Sequence, residues 1–536
     1  MTMELTEQQQ QIVTETGSCV VVATPGSGKT RVMSERIRRI VPDLPDYQGV
    51  IAISFTNKAS RELRQRCLRE GFDAKASWFG TIDSFCNSEI IVPFGRHFFG
   101  LPSSELVVVE KTDLSKEQQD SLTDLPELND LSELSEAHFV ALGKLYVDGK
   151  VILGSFGAFA LSIVQRSSAC QRYLKARFKH IFVDEYQDSD MVQHVLFCKL
   201  HELGLYAMAV GDIDQSIFKW AGKNPLFLQD LAGRDDFTLY SMDKNHRCHP
   251  SIVNYATQLL GKTTNILTTD ECCVHEKKID GTEKDIGTWL AAVIPLYEEL
   301  LGIENRCGIA ILVRSRRTAG LVATQFTLPH RYTDTTPLDS TVSLWGSVFR
   351  RLLFFFGNPH DTRYELLEEF GALDFSIRDS IRTRESISKA RKFFLADSIH
   401  KCKSAMVDIA TILYPKAENI SALSSLDAVL TSSEHRKTFL PSSTNEVEMM
   451  TFHKAKGLEF ELVFHLDLYQ YIFPMYNGDE KEDLNIHYVG ITRAKKCVVL
   501  CHSARRHKSN GEITEAIPSV FLSRNGVQRL RQKSPY

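Results

Sequence analysis

Short apolar runs recur along the chain, and each is followed by a polar turn and then by apolar residues at helical spacing. The run Cys19–Val22 precedes a turn and a helical pattern of Val32, Ile37 and Ile40, while the run His180–Val183 ends in a cluster of acids. Apolar runs of this length, bounded by turn residues, are typical of buried strands. The alternation of strand, loop and helix predicts an α/β protein whose sheets are mostly parallel.

The turn after the first run has the composition of a phosphate-binding loop. It consists of Ala23, Thr24, Pro25, Gly26, Ser27, Gly28, Lys29 and Thr30. Its glycines allow backbone N–H groups to curl around phosphate oxygens, and the N-terminus of the following helix adds a favourable dipole. Lys29 can reach the β- and γ-phosphates, and the Thr30 hydroxyl can ligate Mg²⁺. We therefore predict a site for a nucleoside triphosphate and Mg²⁺, the alternative being a glycine-rich turn that binds no ligand.

Two adjacent acids, Asp184 and Glu185, follow the second run. Carboxylates at the end of a buried strand are costly unless a charge partner neutralises them. A divalent metal on Asp184 and a water molecule polarised by Glu185 would provide that neutralisation, which is the Walker B arrangement of a nucleoside triphosphatase. Acid pairs at strand ends are common without a metal, so this interpretation depends on the phosphate-binding loop upstream.

The composition is that of a globular protein too long for one core. The chain has 536 residues, of which 43% are hydrophobic and 24% charged, and we expect three or four domains. No apolar stretch approaches the ~20 residues of a membrane span, and residues 1–5 lack the basic region and apolar core of a secretion signal. The twelve cysteines are scattered without a Cys-x-x-Cys pair, which favours reduced thiols. These observations predict a cytoplasmic protein without a membrane partner.

Charge is unevenly distributed along the chain. A net charge of −4 excludes a protein that coats nucleic acid over its whole surface, so any such contact must be local. Residues 378–403 are rich in Arg and Lys and form either a solvated helix face or a surface for DNA or a partner. Residues 105–136 are rich in Asp and Glu, and we expect an exposed helical or loop region there.

Further motifs occur in a fixed order between residues 5 and 494. They are Leu5–Gln9, Ile53–Ala59, Gly80–Thr81, Asp184–Asp188, Gly211–Trp220, Asn245–Arg247, Leu312–Ser315, Thr451–Phe460 and Tyr488–Ala494. Together with the phosphate-binding loop, this set resembles the superfamily 1A helicases of the UvrD/Rep/PcrA family. The resemblance implies an ATP-dependent DNA helicase or a DNA-dependent nucleoside triphosphatase.

The resemblance also implies the domain organisation. It predicts an α/β fold of two RecA-like P-loop NTPase lobes, 1A and 2A, with a small, mostly helical 1B insert and a reduced 2B insert. Lobe 1A comprises residues 1–87 and 176–238, the 1B insert 88–175, lobe 2A 239–335 and 443–536, and the 2B insert 336–442. Ligands are expected at the carboxyl ends of the parallel strands.

Transfer of a phosphoryl group to water depends on positioning and on neutralisation of charge. By resemblance, the catalytic residues are Glu185, Lys29, Gln215, Arg247 and Arg493. Glu185 would orient and deprotonate the water, the three cations would neutralise charge on the γ-phosphate, and the glutamine would sense that phosphate. Asp184 and Thr30 would hold Mg²⁺. Because both arginines follow residue 240, they come from the second lobe, and closure of the lobes would complete the site.

The resemblance assigns four residues to the nucleoside. Gln9 would read the adenine edge, Arg31 would stack on the base, and Glu459 would contact the ribose. His246 stands where repair helicases usually have a tyrosine that packs on adenine. Imidazole is a smaller stacking surface, so we expect dATP or GTP to be accepted as well as ATP.

The nucleic-acid side is expected to consist of aromatic and small polar residues. The residues that match the family's DNA contacts are Trp220 and Phe55, which would stack on bases, and Thr56, Asn57, Thr81 and His453, which would contact the backbone. Stacking contributes ~1–3 kcal/mol per base and tolerates any sequence. A core position is the alternative for Trp220. Ala221 stands where repair helicases generally have Arg, so we expect altered coupling between DNA and ATP.

Within this family the chain is similar to the UvrD-like subunits of Gabija antiphage defence systems. The similarity rests on Gly80–Phe85, in which Asp83 stands where repair helicases usually have His, and on Phe178–Asp190, Asn245–Cys248 and Thr336–Asp339. It implies a subunit that senses single-stranded DNA or DNA ends and works with an OLD-family, GajA-like nuclease subunit in a hetero-oligomeric complex.

Two other functions are compatible with the motifs. A stand-alone 3′-to-5′ DNA repair helicase is the main alternative, although the short 2B insert and Asp83 favour the defence subunit. A non-catalytic adaptor that keeps only the fold is disfavoured, because Lys29, Glu185 and Arg493 are intact.

Overall fold

A computed structural model describes residues 4–104, 106–109, 114–122, 136–262, 266–339, 341, 343–358, 362–370, 376–415 and 419–536. The described strands, in chain order, are β1 (Cys19–Ala23), β2 (Gly49–Ile53), β3 (Trp78–Gly80), β4 (Val107–Val109), β5 (Lys150–Ile152), β6 (Phe178–Val183), β7 (Tyr206–Gly211), β8 (Thr238–Met242), β9 (Val274–Ile279), β10 (Ile309–Val313), β11 (His330–Thr333), β12 (Val447–Thr451), β13 (Phe460–His465), β14 (Ala494–Ser503), β15 (Arg505–His507), β16 (Ile513–Glu515) and β17 (Gln532–Lys533).

The described helices surround these strands. In chain order they are α1 (Glu7–Thr14), α2 (Lys29–Ile40), α3 (Asn57–Cys67), α4 (Ile82–Phe85), α5 (Val92–Phe99), α6 (Lys116–Asp120), α7 (Glu136–Val147), α8 (Phe156–Arg166), α9 (Ser168–Arg177), α10 (Met191–Glu202), α11 (Leu226–Ala232), α12 (Pro250–Leu259), α13 (Glu283–Leu301), α14 (Arg316–Ala323), α15 (Leu344–Gly357), α16 (Arg363–Glu369), α17 (Ile377–Leu395), α18 (Ile399–Leu413), α19 (Ile420–Thr431), α20 (Ser433–Thr438), α21 (Phe452–Ala455) and α22 (Glu480–Ile491). Among them, none is long and apolar enough to cross a membrane.

The first sheet has the strand order β3-β2-β6-β7-β1-β8, and all of its pairings are parallel. Successive residues of β1 point to opposite faces. Val20 packs in the core that contains helix α8, while Cys19 and Val21 pack in the core that contains helices α1 and α2. The sheet is therefore covered on both faces, as parallel sheets require.

The second sheet has the order β11-β12-β10-β13-β14-β9-β17 and is also parallel throughout. Its strand β10 alternates in the same way, with Leu312 in one core and Ile311 and Val313 in the other. The two parallel sheets with flanking helices confirm the predicted α/β class of two RecA-like lobes.

The segments between the sheets are mostly helical. Helices α15 and α17–α19 pack around a core of their own that includes Phe349, Ile387 and Met406, whereas the core of α7 and α8 is continuous with one face of the first sheet. The predicted domain limits remain predictions. Most of the acidic segment 105–136 lies outside the described residues.

The basic segment 378–403 forms most of α17 and the start of α18. Along α17, Thr383, Ile387 and Ala390 are buried at helical spacing, while Arg382 and Arg384 are exposed. These arginines thus lie on the solvent-exposed face of an amphipathic helix, and a role of that face in binding DNA or a partner stays a prediction.

Candidate nucleotide site and DNA face

The predicted phosphate-binding loop joins β1 to α2 at the carboxyl edge of the first sheet. Gly26 and Gly28 have φ values of +70° and +87°, a left-handed backbone that L side chains rarely adopt. No side chain caps α2, so the first N–H groups of this helix point into the loop. A Cβ atom added to Gly26 would lie 2.6 Å from the Cβ of Arg247, and the Gly26 carbonyl accepts a hydrogen bond from the His246 N–H at 3.0 Å. The loop therefore has no room for a side chain at position 26, and its backbone N–H groups can surround a phosphate as a cradle.

Lys29 places a buried ammonium group beside this cradle. Its Nζ lies 3.5 Å from Glu185 Oε1 but has no hydrogen-bond partner among the described residues. Burial alone would lower the pKa of Lys29, but the carboxylates of Glu185, Asp212 and Asp184 raise it above the ordinary value. The loop thus presents a charged donor to an anionic group, as a triphosphate site requires.

Asp184 and Thr30 meet where β6 and α2 approach each other. The Thr30 hydroxyl donates to Asp184 Oδ2 at 3.2 Å, and the Asp184 N–H donates to the Ile53 carbonyl at 2.9 Å. Burial and the neighbouring Glu185 raise the pKa of Asp184 to about 6. A buried carboxylate short of positive charge and an adjacent hydroxyl are oxygen ligands of the kind that Mg²⁺ takes. These residues fit the predicted metal position.

Glu185 adopts a left-handed backbone conformation with φ +52°. Such a backbone costs of order 1–3 kcal/mol in a non-glycine residue and is found chiefly where function requires a fixed side chain. Gln187 donates from Nε2 to Glu185 Oε2. Burial would raise the pKa of Glu185, but the ammonium groups of Lys29 and Lys456 outweigh it and lower the pKa to about 2. Glu185 is therefore held as a carboxylate.

A chain of hydrogen bonds leads from this strand end to the second lobe. The Asp212 N–H donates to Gln187 Oε1 at 2.9 Å, and Gln215 Nε2 donates to Asp212 Oδ2 at 2.7 Å. Arg493, at the end of α22, donates from Nη2 to Gln215 Oε1 at 3.0 Å. Burial and the neighbouring Arg247 lower the pKa of Arg493 to about 10, so the guanidinium remains charged at neutral pH. Three predicted catalytic residues, Glu185, Gln215 and Arg493, are connected through Gln187 and Asp212.

Arg247 is held over the phosphate-binding loop by its own partners. Its Nε lies 2.7 Å from Glu459 Oε2, and Lys495 Nζ lies 3.2 Å from the other oxygen of the same carboxylate. The Asn245 side-chain oxygen accepts the Arg247 N–H at 2.7 Å. Glu459 thus contacts a predicted catalytic arginine, and its predicted ribose contact remains a prediction.

Two of the residues predicted to surround the base, Gln9 and His246, contact the backbone of the loop at Ser27 and Gly26. Gln9 is 4% exposed; its Nε2 donates to the Ser27 carbonyl at 2.9 Å, and its Oε1 accepts the Thr6 N–H at 3.0 Å. His246 is exposed, and partial burial together with Lys244 and Arg31 lowers its pKa, so the ring is neutral. The contacts of Gln9, Arg31 and His246 with a base remain predictions.

The predicted base-stacking aromatics lie on one face that both lobes contribute to. Trp220 is 73% exposed and Phe55 is 41% exposed, so Trp220 is not a core residue. Phe55 stacks on Phe218 with a centroid distance of 5.4 Å and an interplanar angle of 21°. Phe218 also contacts Trp220 and the imidazole of His453, at centroid distances of 6.5 and 6.0 Å. Phe218 had no predicted role, although its position two residues before Trp220 is a signal that could have indicated one.

The small polar residues of this face have structural roles as well. The hydroxyl oxygens of Thr56 and Thr81 accept the N–H groups of Ala59 and Ser84, at 3.1 and 3.4 Å, and so cap helices α3 and α4. Asn57 begins α3, and its side chain lies outside the described residues. The predicted backbone contacts of these residues with DNA remain predictions.

Lys456 is a residue of the site that had no predicted role. Its Nζ lies 2.5 Å from Asp188 Oδ2 and 2.6 Å from the Gln215 carbonyl oxygen, so it joins the second lobe to the first. The signal in the sequence was weak, because only the folded chain brings these distant segments together.

Comparison with known protein families shows to which family the chain belongs. The model of the UvrD/REP helicase N-terminal domain matches residues 5–145 and 157–234, and that of the UvrD-like helicase C-terminal domain matches residues 375–504. Together they cover more than half of the chain. The chain belongs to the UvrD/Rep helicase family. As a UvrD-like protein it is an ATP-dependent DNA helicase, and such helicases use ATP with Mg²⁺.

Relatives of known name match almost the whole chain. Gabija protein GajB of Bacillus cereus (strain VD045) is 27% identical, with 93% of this chain and 96% of that protein covered. DNA helicase II of Haemophilus influenzae is 22% identical, with 98% and 88% covered. The ATP-dependent DNA helicase PcrA of Bacillus subtilis is 23% identical, with 93% and 82% covered.

The cradle geometry yields a prediction about Gly26. In Gly26→Ala, the added Cβ would lie 2.6 Å from the Arg247 Cβ and the left-handed backbone would be strained. We expect the affinity for ATP to fall about tenfold or more, because the loop must shift away from Arg247 and its N–H groups then no longer lie where the phosphates bind. Titration of a fluorescent ATP analogue with Mg²⁺ measures this. Gly320→Ala is the matched control, since a Cβ there meets nothing within 4 Å. Wild-type affinity in Gly26→Ala would contradict the prediction.

Proposed function

We propose that this UvrD-like helicase is the DNA-stimulated ATPase subunit of a Gabija-type antiphage defence complex. It would sense single-stranded DNA or DNA ends and act with an OLD-family nuclease partner. The observation that carries the catalytic part is the hydrogen-bonded path from Glu185 through Gln187, Asp212 and Gln215 to Arg493. This path connects the proposed water-activating carboxylate, Glu185 of the first lobe, with a proposed phosphate-binding cation, Arg493 of the second lobe.

The proposed roles in hydrolysis follow from charge and position. Glu185, held ionised by the nearby ammonium groups, accepts a proton from the attacking water. Lys29 and the two arginines, Arg247 and Arg493, neutralise charge on the γ-phosphate, and Gln215 contacts that phosphate. Asp184 and Thr30 would hold Mg²⁺, which would supply further neutralisation of phosphate charge. The adenosine end would be bound by Gln9, Arg31, His246 and Glu459.

Base selectivity is proposed to be loose. The imidazole of His246 is exposed and uncharged, and it offers less stacking area than a tyrosine ring. The Gln9 amide is already engaged by Thr6 and Ser27, which limits its use for discrimination between bases. Both features support the acceptance of dATP or GTP beside ATP.

The DNA track is proposed to run over the aromatic face. Trp220 and Phe55 would stack on successive bases, and Thr56, Asn57, Thr81 and His453 would contact the backbone. Burial, Arg314 and Lys456 lower the pKa of His453 to about 4, so it would contact DNA as a neutral donor or acceptor.

The defence assignment is supported by the extent of the similarity to GajB. The alignment with GajB runs over 520 positions and covers 96% of that protein. The alignment with DNA helicase II runs over 638 positions, which exceeds the 536 residues of this chain. The larger repair helicase therefore carries insertions that this chain lacks. A partner nuclease would supply the DNA cleavage in the proposed complex.

Glu185→Gln tests the catalytic assignment. We expect DNA-stimulated ATP hydrolysis to fall about 10²–10⁴-fold, because the proton acceptor is lost, while ATP affinity stays near wild type. Phosphate release at saturating ATP and DNA measures the rate, and nucleotide titration measures the affinity. Glu202→Gln is the matched control, because Glu202 is exposed and forms a surface ion pair with Lys199. Unchanged hydrolysis in Glu185→Gln would disprove the assignment.

Trp220→Ala tests the DNA face. Loss of one stacking side chain is expected to cost ~1–3 kcal/mol of binding free energy for single-stranded DNA. Fluorescence anisotropy of a labelled oligothymidine, at one fixed salt concentration, measures the affinity. Tyr47→Ala is the control, since Tyr47 is 67% exposed and lies at the amino end of β2, whereas Phe55 follows the carboxyl end of the same strand. Equal affinities for the two variants would place the DNA track elsewhere.

Co-expression with any OLD-family nuclease that is encoded beside the gene tests the defence assignment. We expect the two chains to co-purify as a hetero-oligomer and to reduce phage plating only when both are present, with Glu185→Gln abolishing protection. If no such nuclease is encoded nearby and the purified chain unwinds long duplexes processively, the stand-alone repair helicase is the correct function instead.

A further inference from the structure

Lys456 lies where the nucleotide site and the DNA face meet. It follows helix α21 in the second lobe, and its side chain is 9% exposed. The ammonium group contacts Asp188 Oδ2 at 2.5 Å and the Gln215 carbonyl oxygen at 2.6 Å, both in the first lobe. It also lies 4.9 Å from the ring centroid of Phe218, on which Phe55 stacks. The buried Lys456 ammonium therefore contacts both the acidic segment that follows β6 and the aromatic face around Phe218.

Asp188 depends on this lysine for charge compensation. Its side chain is 0% exposed, and its Oδ1 has no hydrogen-bond partner among the described residues. Lys456 is the cation within ion-pair distance of Asp188 in the described part of the chain. Loss of one member of a buried pair leaves the other charge uncompensated, which is far more costly than loss of a surface pair.

A single amide group lies between Asp188 and the proposed catalytic base. Gln187 Nε2 donates to Glu185 Oε2 and lies 3.5 Å from Asp188 Oδ2. The same side chain accepts the Asp212 N–H through its Oε1, so the amide can rotate only a little. If Asp188 carried an uncompensated charge, it would attract this amide away from Glu185.

We infer that Lys456 is a positioning residue that neutralises Asp188 and thereby keeps the Gln187 amide on Glu185. Because Lys456 belongs to the second lobe and lies against Phe218, approach of the lobes and occupation of the aromatic face both act on this contact. DNA binding then influences the orientation of the Glu185 carboxylate through the Lys456 ammonium group. The inference rests on the proposed roles of Glu185 and of the aromatic face.

The test compares Lys456→Met with the double variant Lys456→Met/Asp188→Asn. In Lys456→Met, we expect kcat of DNA-stimulated ATP hydrolysis to fall about 10–100-fold, because Glu185 loses its orientation and one of the two ammonium groups that keep it ionised. KM for ATP should stay within about threefold, since Lys456 has no proposed contact with the nucleotide. Replacing Asp188 by the neutral Asn should then restore kcat at least about fivefold over Lys456→Met, since nothing draws the Gln187 amide away. A merely structural role for Lys456 predicts instead that Lys456→Met lowers the melting temperature while kcat per folded molecule stays near wild type, so thermal unfolding is measured beside kcat. Lys481→Met, at an exposed position of the same lobe, is the control.

Each outcome bears on one claim. Wild-type kcat in Lys456→Met, or a double variant no more active than the single one, would overturn the inference and leave the roles of Glu185 and Trp220 standing. Wild-type hydrolysis in Glu185→Gln would instead overturn the proposed function. If Lys456→Met does not fold, the neutral double variant is measured alone. A kcat within about tenfold of wild type supports the inference, and a loss beyond about a hundredfold contradicts it.

Discussion

The compensation of buried carboxylates at the end of β6 governs the rest of the site. Asp184 and Asp188 are buried and Glu185 is partly buried, so three acids within five residues compete for positive charge. Burial raises the pKa of Asp184 and Asp188 to about 6, whereas Lys29 and Lys456 keep Glu185 ionised. One of these ammonium groups comes from the phosphate-binding loop and the other from the second lobe. The charge balance of a single strand end thus depends on both lobes.

Around the buried acids the contacts that join the lobes are polar, although the segment before Trp220 also packs into an apolar core of the second lobe. Arg493 bonds Gln215, Lys456 bonds Asp188, and Asn485 Nδ2 donates to the Ser216 carbonyl at 2.9 Å. The neutral bond of Asn485 contributes ~1 kcal/mol net and the bonds of the charged Arg493 and Lys456 ~1.5–3 kcal/mol each, since water replaces them when the lobes separate. These polar contacts can break and form again during a catalytic cycle.

The sequence predicts the local features of this protein better than the tertiary ones. The phosphate-binding loop and the acids after β6 lie next to the strands that hold them, so short patterns sufficed, and the two parallel sheets followed from the same alternation. Phe218 and Lys456 were not predicted as functional, because their roles arise from contacts with Phe55 and Asp188 far along the chain. Nothing in the local pattern of Glu459 indicates that it pairs with Arg247.

The segment between Gln215 and Trp220 explains why the nucleotide site and the DNA face cannot move independently. Gln215 bonds Arg493, Trp220 belongs to the aromatic face, and only four residues separate them. Between them, Ile217 is fully buried in a core formed by the second lobe, although the residues before it follow β7 of the first lobe. A relative movement of the lobes must therefore displace this segment, because a side chain in a close-packed core cannot slide freely. Its displacement would move Gln215 and Trp220 together. The segment therefore couples the nucleotide site to the DNA face through the backbone, as the contact of Lys456 with Asp188 does through charge.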